Sequence, residues 1–411
     1  MRKLLLLLLL IAQLGFGQNK SILLIDTRLV NIQDVLWDLK ALSKPPKTEW
    51  TNTNGNVHSL LYKSVDYEGK PTQVFAWYSN PDLLMGRPAS GKKFPGVVLV
   101  HGGGGKAFKV WVEKWAAEGY AAIAMDLSGN DGERIKLTNA GADQADINKF
   151  DKIVKGNLKD VWTYYAVSSV ILAHSLLLNL PEVDAAKTCI TGISWGGYLT
   201  CLVASLDNRF RAAAPVYGGG FYNESDIFKE SLKRLSPENQ KIWMKNFDPS
   251  SYLPFAQPSF LFINGNKDFA YGVMPFHKTY SLVDRNRRTV CIKPDMAHTH
   301  EDGWNPNEIR VFFESVINKG CPLLKVTSIL TDKQSIKLSF ESPVTLFRAE
   351  FYYSNDSVSA NTKREWILQK AVIDSEKQTV IVPKPKEGFK YAFFHLVDYR
   401  NMSVSGEFII N

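Results

Sequence analysis

The stretch Lys187–Thr200, KTCITGISWGGYLT, decides how this 411-residue chain is read. Thr188–Thr191 is a short β-run, Gly192, Ser194 and Gly196 form a Gly-x-Ser-x-Gly, and Tyr198, Leu199, Leu202 and Val203 lie on an apolar helix. A strand that turns sharply into a helix forces the corner residue into a strained backbone and lifts its side chain clear of the sheet. Glycines two before and two after leave room for that close approach. Ser194 is therefore a candidate nucleophile. A lone Gly-x-Ser-x-Gly also arises by chance around ordinary turn serines, so the weight falls on what surrounds it.

Upstream, the buried-type strand Val97–Val100 runs into His101-Gly102-Gly103-Gly104-Gly105. A phosphate-cradling loop needs Ser or Thr after its lysine, and Ala107 follows Lys106. The better fit is a loop that aims a backbone N–H at a developing oxyanion, with Gly103 or Gly104 as donor beside the N–H of Trp195. Downstream, the strand Ser259–Asn264 ends in Gly265-Asn266-Lys267-Asp268. Asp268 follows an apolar strand through a glycine turn, as its rivals Asp284, Asp295 and Asp302 do not, and is chosen as the carboxylate that orients a histidine. The strand Thr289–Lys293 exits through Pro294-Asp295-Met296-Ala297-His298-Thr299-His300. His298 is the preferred general base and His300 the alternative. His298, His300 and Asp302 also make a partial metal-ligand pattern, but the chain has seven histidines and no further clustered pair.

The remaining chain fits a β–α alternation. A helix is expected over Ile32–Leu42, followed by a polar tract to Gly55, then strands Val57–Tyr67 and Thr72–Tyr78. The helix Val110–Glu118 and strand Ala121–Met125 complete a βαβ unit. Residues 127–156 are too long for an idle connection. The helix Asn157–Leu180 carries Val161, Tyr165, Ser169, Ala173 and Leu177 at fourfold spacing, with Pro181 beyond it. The strand Arg211–Tyr217 is followed by a lid-like insertion, 218–255, and the helix Asn307–Ile317 comes after Asn305-Pro306. From Lys325 six short alternating runs recur without a convincing helix, the pattern of a β-sandwich.

Composition narrows the function classes. Residues 1–17 have a basic start, the unbroken apolar run Leu4–Ile11 and a Gly15-Phe16-Gly17 exit, read as a cleaved signal peptide and hence export to a periplasm or beyond. No later stretch reaches the ~18 apolar residues of a membrane span. The net charge of +8 is scattered, without a dense basic run interleaved with aromatics, so nucleic acid is excluded as a partner. Cys189, Cys201, Cys291 and Cys321 are widely spaced, and buried free thiols are the expectation.

The order Ser194, Asp268, His298, with the oxyanion loop upstream, is that of α/β-hydrolases. HGGGG, GISWGGYLT, RAAAPVYGGGF, FINGNKDFAY and MAHTHEDGWNPNEIRVFF together resemble the secreted acetyl-xylan-esterase-like branch of that superfamily, often grouped with dienelactone hydrolases and prolyl-oligopeptidase-type peptidases. The resemblance covers about residues 57–320. It implies an α/β fold with a mostly parallel sheet, a catalytic unit at 57–320 behind an N-terminal segment at 18–56, and a small all-β sandwich at 325–411. It further implies a cofactor-free serine esterase acting on an ester or acylated polysaccharide such as acetylated xylan. Two other readings stand beside it: a serine peptidase sharing the triad, and a non-catalytic glycan-binding protein.

Overall fold

The computed structural model describes residues 22–30, 32 and 34–411. The expected signal peptide lies outside the described residues, among which no helix is long and apolar enough to cross a membrane. The strands of the main sheet are β1 (Thr48–Asn52), β2 (His58–Lys63), β3 (Gln73–Ser79), β4 (Phe94–Val100), β5 (Ala121–Met125), β6 (Val183–Ile193), β7 (Ala212–Val216), β8 (Ser259–Gly265) and β9 (Arg288–Lys293). Their spatial order is β1-β2-β3-β5-β4-β6-β7-β8-β9. The pairs from β5 to β9 are parallel, and β1, β2 and β3 join antiparallel.

Parallel strands are covered on both faces, so they read as continuous apolar runs. Val97–Val100, Ala121–Met125 and Phe260–Ile263 are fully or almost fully buried. The helices Lys109–Ala117 and Asn307–Ile317 meet through Trp115 and Phe313, while Trp162–Asn179 and Trp195–Leu206 pack on each other and on β4 and β6. Every residue from Trp162 to Leu178 is buried. A helix apolar all round needs cover on its outer side as well. The N-terminal segment supplies it: Trp37 Nε1 donates to Tyr164 O (3.0 Å) and Ser175 Oγ to Leu42 O (2.7 Å).

Among the described residues of the expected helix Ile32–Leu42, one turn is helical, Leu39–Leu42, which starts where the Asp38 side chain accepts the Ala41 N–H. The expected polar tract contains β1, an edge strand. The insertion holds two helices, Phe228–Lys233 and Pro237–Phe247.

The C-terminal strands are β10 (Lys325–Thr331), β11 (Ser335–Glu341), β12 (Leu346–Ser354), β13 (Ile367–Lys370), β14 (Val372–Asp374), β15 (Thr379–Pro383), β16 (Tyr391–Asp398), β17 (Ser403–Ser405) and β18 (Ile409–Ile410). They form two antiparallel sheets, β10-β11-β15-β14 and β13-β12-β16-β17, with β18 on β16. Ile336, Leu338, Val380 and Val382 of one and Phe351, Phe394 and Leu396 of the other supply a buried core. This unit sits against β9, which ends the main sheet. Ser405 Oγ accepts the Ile292 N–H (2.9 Å) and donates to Val290 O (3.0 Å), occupying backbone groups that another strand would have paired.

Candidate active site

Ser194 sits between β6 and the helix Trp195–Leu206 at φ 56° and ψ −116°. A non-glycine residue at such angles costs on the order of 1–3 kcal/mol and is held only where surrounding bonds over-determine it. Here the Ser194 N–H donates to Val216 O and its C=O accepts the Tyr198 N–H, both at 2.9 Å. The flanking glycines are obligatory. A Cβ on Gly196 would stand 2.0 Å from Val100 O, and one on Gly192 would stand 2.2 Å from Gly196 O.

The glycine loop after β4 lies directly beside this elbow. A Cβ built on Gly102 would be 3.2 Å from Ser194 Cβ, and one on Gly103 would be 2.9 Å from Trp195 Cδ1. Buried His101 fixes the loop from below: its Nε2 accepts the Leu127 N–H (2.9 Å) and its Nδ1 bonds Gly102 O (2.7 Å). The Gly102 N–H is given to His300 Nε2 (3.1 Å) and the Gly104 N–H to Gln144 Oε1 (3.3 Å). Arg134 Nη2 donates to Gly104 O (3.2 Å). The 127–156 segment, with its Gln144 and Arg134, thus rims the loop.

Asp268 and His298 come together at the ends of β8 and β9. Asp268 is buried, its Oδ1 accepts the N–H groups of Ala270 (2.9 Å) and Tyr271 (2.7 Å), and its Oδ2 lies 2.5 Å from His298 Nδ1. A carboxylate on Nδ1 fixes the tautomer that leaves Nε2 as the acceptor. The His298 ring stacks on Tyr217 at 4.2 Å and lies 4.5 Å from Phe269. Tyr217 follows Val216 on β7, which pairs with β6 in the register Ile193↔Val216. Ser194, Asp268 and His298 therefore follow the carboxyl ends of β6, β8 and β9, with β7 between the first two, on the edge where open α/β sheets bind their ligands. Among the described residues no hydrogen bond joins Ser194 Oγ to either histidine, and such bonds often tighten only with substrate in place.

His300 is in a different state. It opens the short helix His300–Trp304 rather than ending a loop, rests against Phe108, and has its Nε2 lone pair committed to Gly102. Burial, and then the nearby His101, His298 and Arg134, push its pKa down to about 4. The rival aspartates are occupied elsewhere: Asp284 caps Asn286, Asp295 pairs with Lys267 (3.0 Å), and Asp302 bonds Thr299. Among the described residues no group of three or more His, Cys, Asp or Glu is placed to hold a metal ion.

Tyr222, Phe228 and Trp243 of the insertion are buried, and Tyr222 and Phe228 meet the Trp195 ring at 5.4 and 4.9 Å. They pack as core behind the elbow. Lys149 adds an ammonium 4.3 Å over the same ring, its side chain 8% exposed and its nearest carboxylate, Asp146, 3.9 Å away. Sequence reading missed Gln144, Lys149, Tyr217 and Phe269. Only Tyr217, closing the run RAAAPVY, carried a usable signal there.

A model of the acetyl xylan esterase family (AXE1) matches residues 37–221, and one of the prolyl oligopeptidase family matches residues 156–306. The first match includes the glycine loop and Ser194, and the second includes Ser194, Asp268 and both histidines. The chain is 26% identical over 220 residues to dipeptidyl-peptidase 5 of Aspergillus fumigatus, covering 49% of this chain and 28% of that protein. The chain thus spans less than a third of the length of that curated relative. Among solved structures it is similar to the acetyl xylan esterase from Paenibacillus sp. R4, with TM-score 0.53 and 19% identity over 67% of this chain and 92% of that one. It is also similar to acetyl xylan esterase 1 from Thermoanaerobacterium sp. JW/SL YS485, with TM-score 0.50 and 18% identity over 72% and 95%. These likenesses show the fold, and both matching families are families of hydrolases.

Proposed function

We propose that this chain, an α/β-hydrolase by fold, is an exported serine carboxylic-ester hydrolase that removes acyl groups, acetyl foremost, from polysaccharide or its fragments. The observation that carries the reading is the 2.5 Å His298–Asp268 pair at the ends of β9 and β8, across β7 from a serine held at φ 56° beside a glycine loop. In the mechanism, Ser194 Oγ attacks the ester carbonyl while His298 Nε2 takes its proton, and Asp268 holds the imidazole and favours its charged form. The tetrahedral oxyanion is received by the N–H groups of Trp195 and Gly103, which have no partner among the described residues. Gly104 engages Gln144 instead. Losing one such donor costs on the order of 10²–10³ in turnover. The proton passes to the departing alcohol, and water attacks the acyl-enzyme with the same base. No metal or organic cofactor takes part.

A peptidase reading is favoured by the match over 156–306 and the dipeptidyl-peptidase likeness. It uses the same side chains on an amide. The deciding experiment assays 4-nitrophenyl acetate, acetylated xylan and a peptide nitroanilide panel, with fluorophosphonate labelling alongside. Acetate release and labelling, both abolished in Ser194→Ala, support the ester hydrolase. Turnover of the peptides alone replaces it with the peptidase. Absence of labelling and of turnover on every substrate leaves a glycan-binding protein.

A further inference from the structure

The C-terminal sheets reach the candidate active site through one side chain. Between β12 and β13 lies the 3-10 turn Asn361–Lys363, and Asn361 is 3% exposed. Its Nδ2 donates to Asp268 O (2.8 Å) and Asn266 O (3.2 Å), and its Oδ1 accepts from Arg364 Nη1. Arg364 is itself fixed: Nε donates to Asp356 O (2.9 Å), Nη2 donates to Ser359 O (3.3 Å), and the guanidinium lies 4.7 Å over the Tyr391 ring. The other end of the 265–271 turn is held from β8, where Asn264 Nδ2 donates to Tyr271 O (2.7 Å). The turn that carries Asp268 is thus clamped twice, once from its own strand and once from a unit about a hundred residues downstream (93 positions separate Asp268 and Asn361).

We infer that Asn361 is a positioning residue for the reaction, and that the C-terminal β-unit completes the active site by fixing the backbone of Asp268. The inference rests on the triad reading above. An amide is suited to this task, because it has two N–H donors for two carbonyls and an oxygen for the guanidinium. A misplacement of about 1 Å remote from the chemistry can lower a catalysed rate 10²-fold. Carbonyls at this junction could instead be met by water, yet the chain brings a buried side chain across to them.

The test compares wild type with Asn361→Asp and Asn361→Ala in the full chain. Aspartate keeps the Arg364 partner, so the β-unit retains its own packing, but it presents no N–H to the two carbonyls. The expected result is a 10- to 100-fold fall in kcat on 4-nitrophenyl acetate with KM changed less than threefold, measured per folded molecule in both variants. The low-field proton resonance of the His298–Asp268 hydrogen bond should weaken or shift in both variants. A role confined to folding lowers Tm and leaves that resonance unchanged in the folded fraction, which overturns the inference, as does wild-type kcat in both variants. The resonance is read without turnover. An intact low-field signal sensitive to Asn361, in a protein that hydrolyses no substrate, therefore supports the clamp and discards the esterase.

Discussion

The two histidines of the His298-x-His300 pair should separate by several orders of magnitude when each is replaced by alanine. His298 carries the Asp268 hydrogen bond; in the proposed mechanism it is the base, and removing a triad base costs about 10⁴–10⁶ in kcat. His300 contributes one neutral hydrogen bond, 3.1 Å from the Gly102 N–H. A bond of that kind is worth about 1 kcal/mol, or roughly a fivefold effect. His300→Ala should therefore retain at least a tenth of wild-type kcat, and His300→Gln, whose amide oxygen is an acceptor, should recover part of the loss. The pair also separates in its acid response. Burial first, then the neighbouring His101, His298 and Arg134, take the His300 pKa from 6.5 down to about 4. The folded protein thus binds fewer protons there than the unfolded chain between those values. Its stabilising share is complete above pH 6.5 and lost as pH falls towards 4. The full drop corresponds to at most about 3 kcal/mol, and to about half that once the ring's partial exposure is allowed for. Urea titrations at pH 7 and pH 4 should show wild type losing about 1–2 kcal/mol more than His300→Gln over that interval. A His300→Ala enzyme reduced more than 10³-fold, beside a His298→Ala enzyme that still turns over, would refute the assignment and make His300 the base.

Two further outcomes concern stability. Asp207 is fully buried and binds Arg209 through both carboxylate oxygens (2.7 and 2.6 Å) and His174 Nδ1 (2.8 Å). Asp207→Ala strands the buried guanidinium and should cost about 3–5 kcal/mol in urea unfolding, while Asp207→Ala with Arg209→Met should cost less than the single change. Burial pushes the Lys149 pKa down to about 8 from 10.5, so below pH 8 the folded protein holds a charge it disfavours. Lys149→Met should stabilise by about 1–2 kcal/mol at pH 7, the cation–π contact offsetting part of the gain, and the gap should close as pH rises from 8 through 10.5. A Tm difference that does not change over that range contradicts it.

The parts of the fold legible from sequence were strands buried on both faces and strands with a regular alternation, such as β11 with every second residue buried. Val97–Val100, Ala121–Met125 and Ser259–Asn264 each read as an apolar run, and each is a strand of the parallel sheet. The β1 sequence TEWTN was missed because four of its five residues are exposed, leaving neither an apolar run nor an alternation. The apolar residues of 32–42 suggested a helix, but Trp37 and Leu39 are buried individually against the helix Trp162–Asn179, which does not require a continuous helical face. At the site, Ser194, Asp268 and His298 follow strand ends, where position along the chain implies position in space. The choice between His298 and His300 depends on which ring reaches a carboxylate, and two residues of sequence separation carry no such information. Asn361 lies on a polar turn of the C-terminal unit, and its contacts cross between units.

The two hydrogen bonds of Ser405 to β9 bear on the order in which the molecule can be assembled. β9 ends the main sheet, and its backbone groups at Val290 and Ile292 are met by a serine 113 residues further along the chain from Ile292. Until that serine arrives, a nascent chain displays an open strand edge, the kind of surface that recruits other chains. Shortening the protein to its hydrolase part would make that interval permanent, so a fragment ending near residue 320 should be soluble only while a chaperone covers β9. Sedimentation of that fragment with and without a trans-supplied 321–411 peptide would measure how far one serine and its strand keep β9 from recruiting other chains.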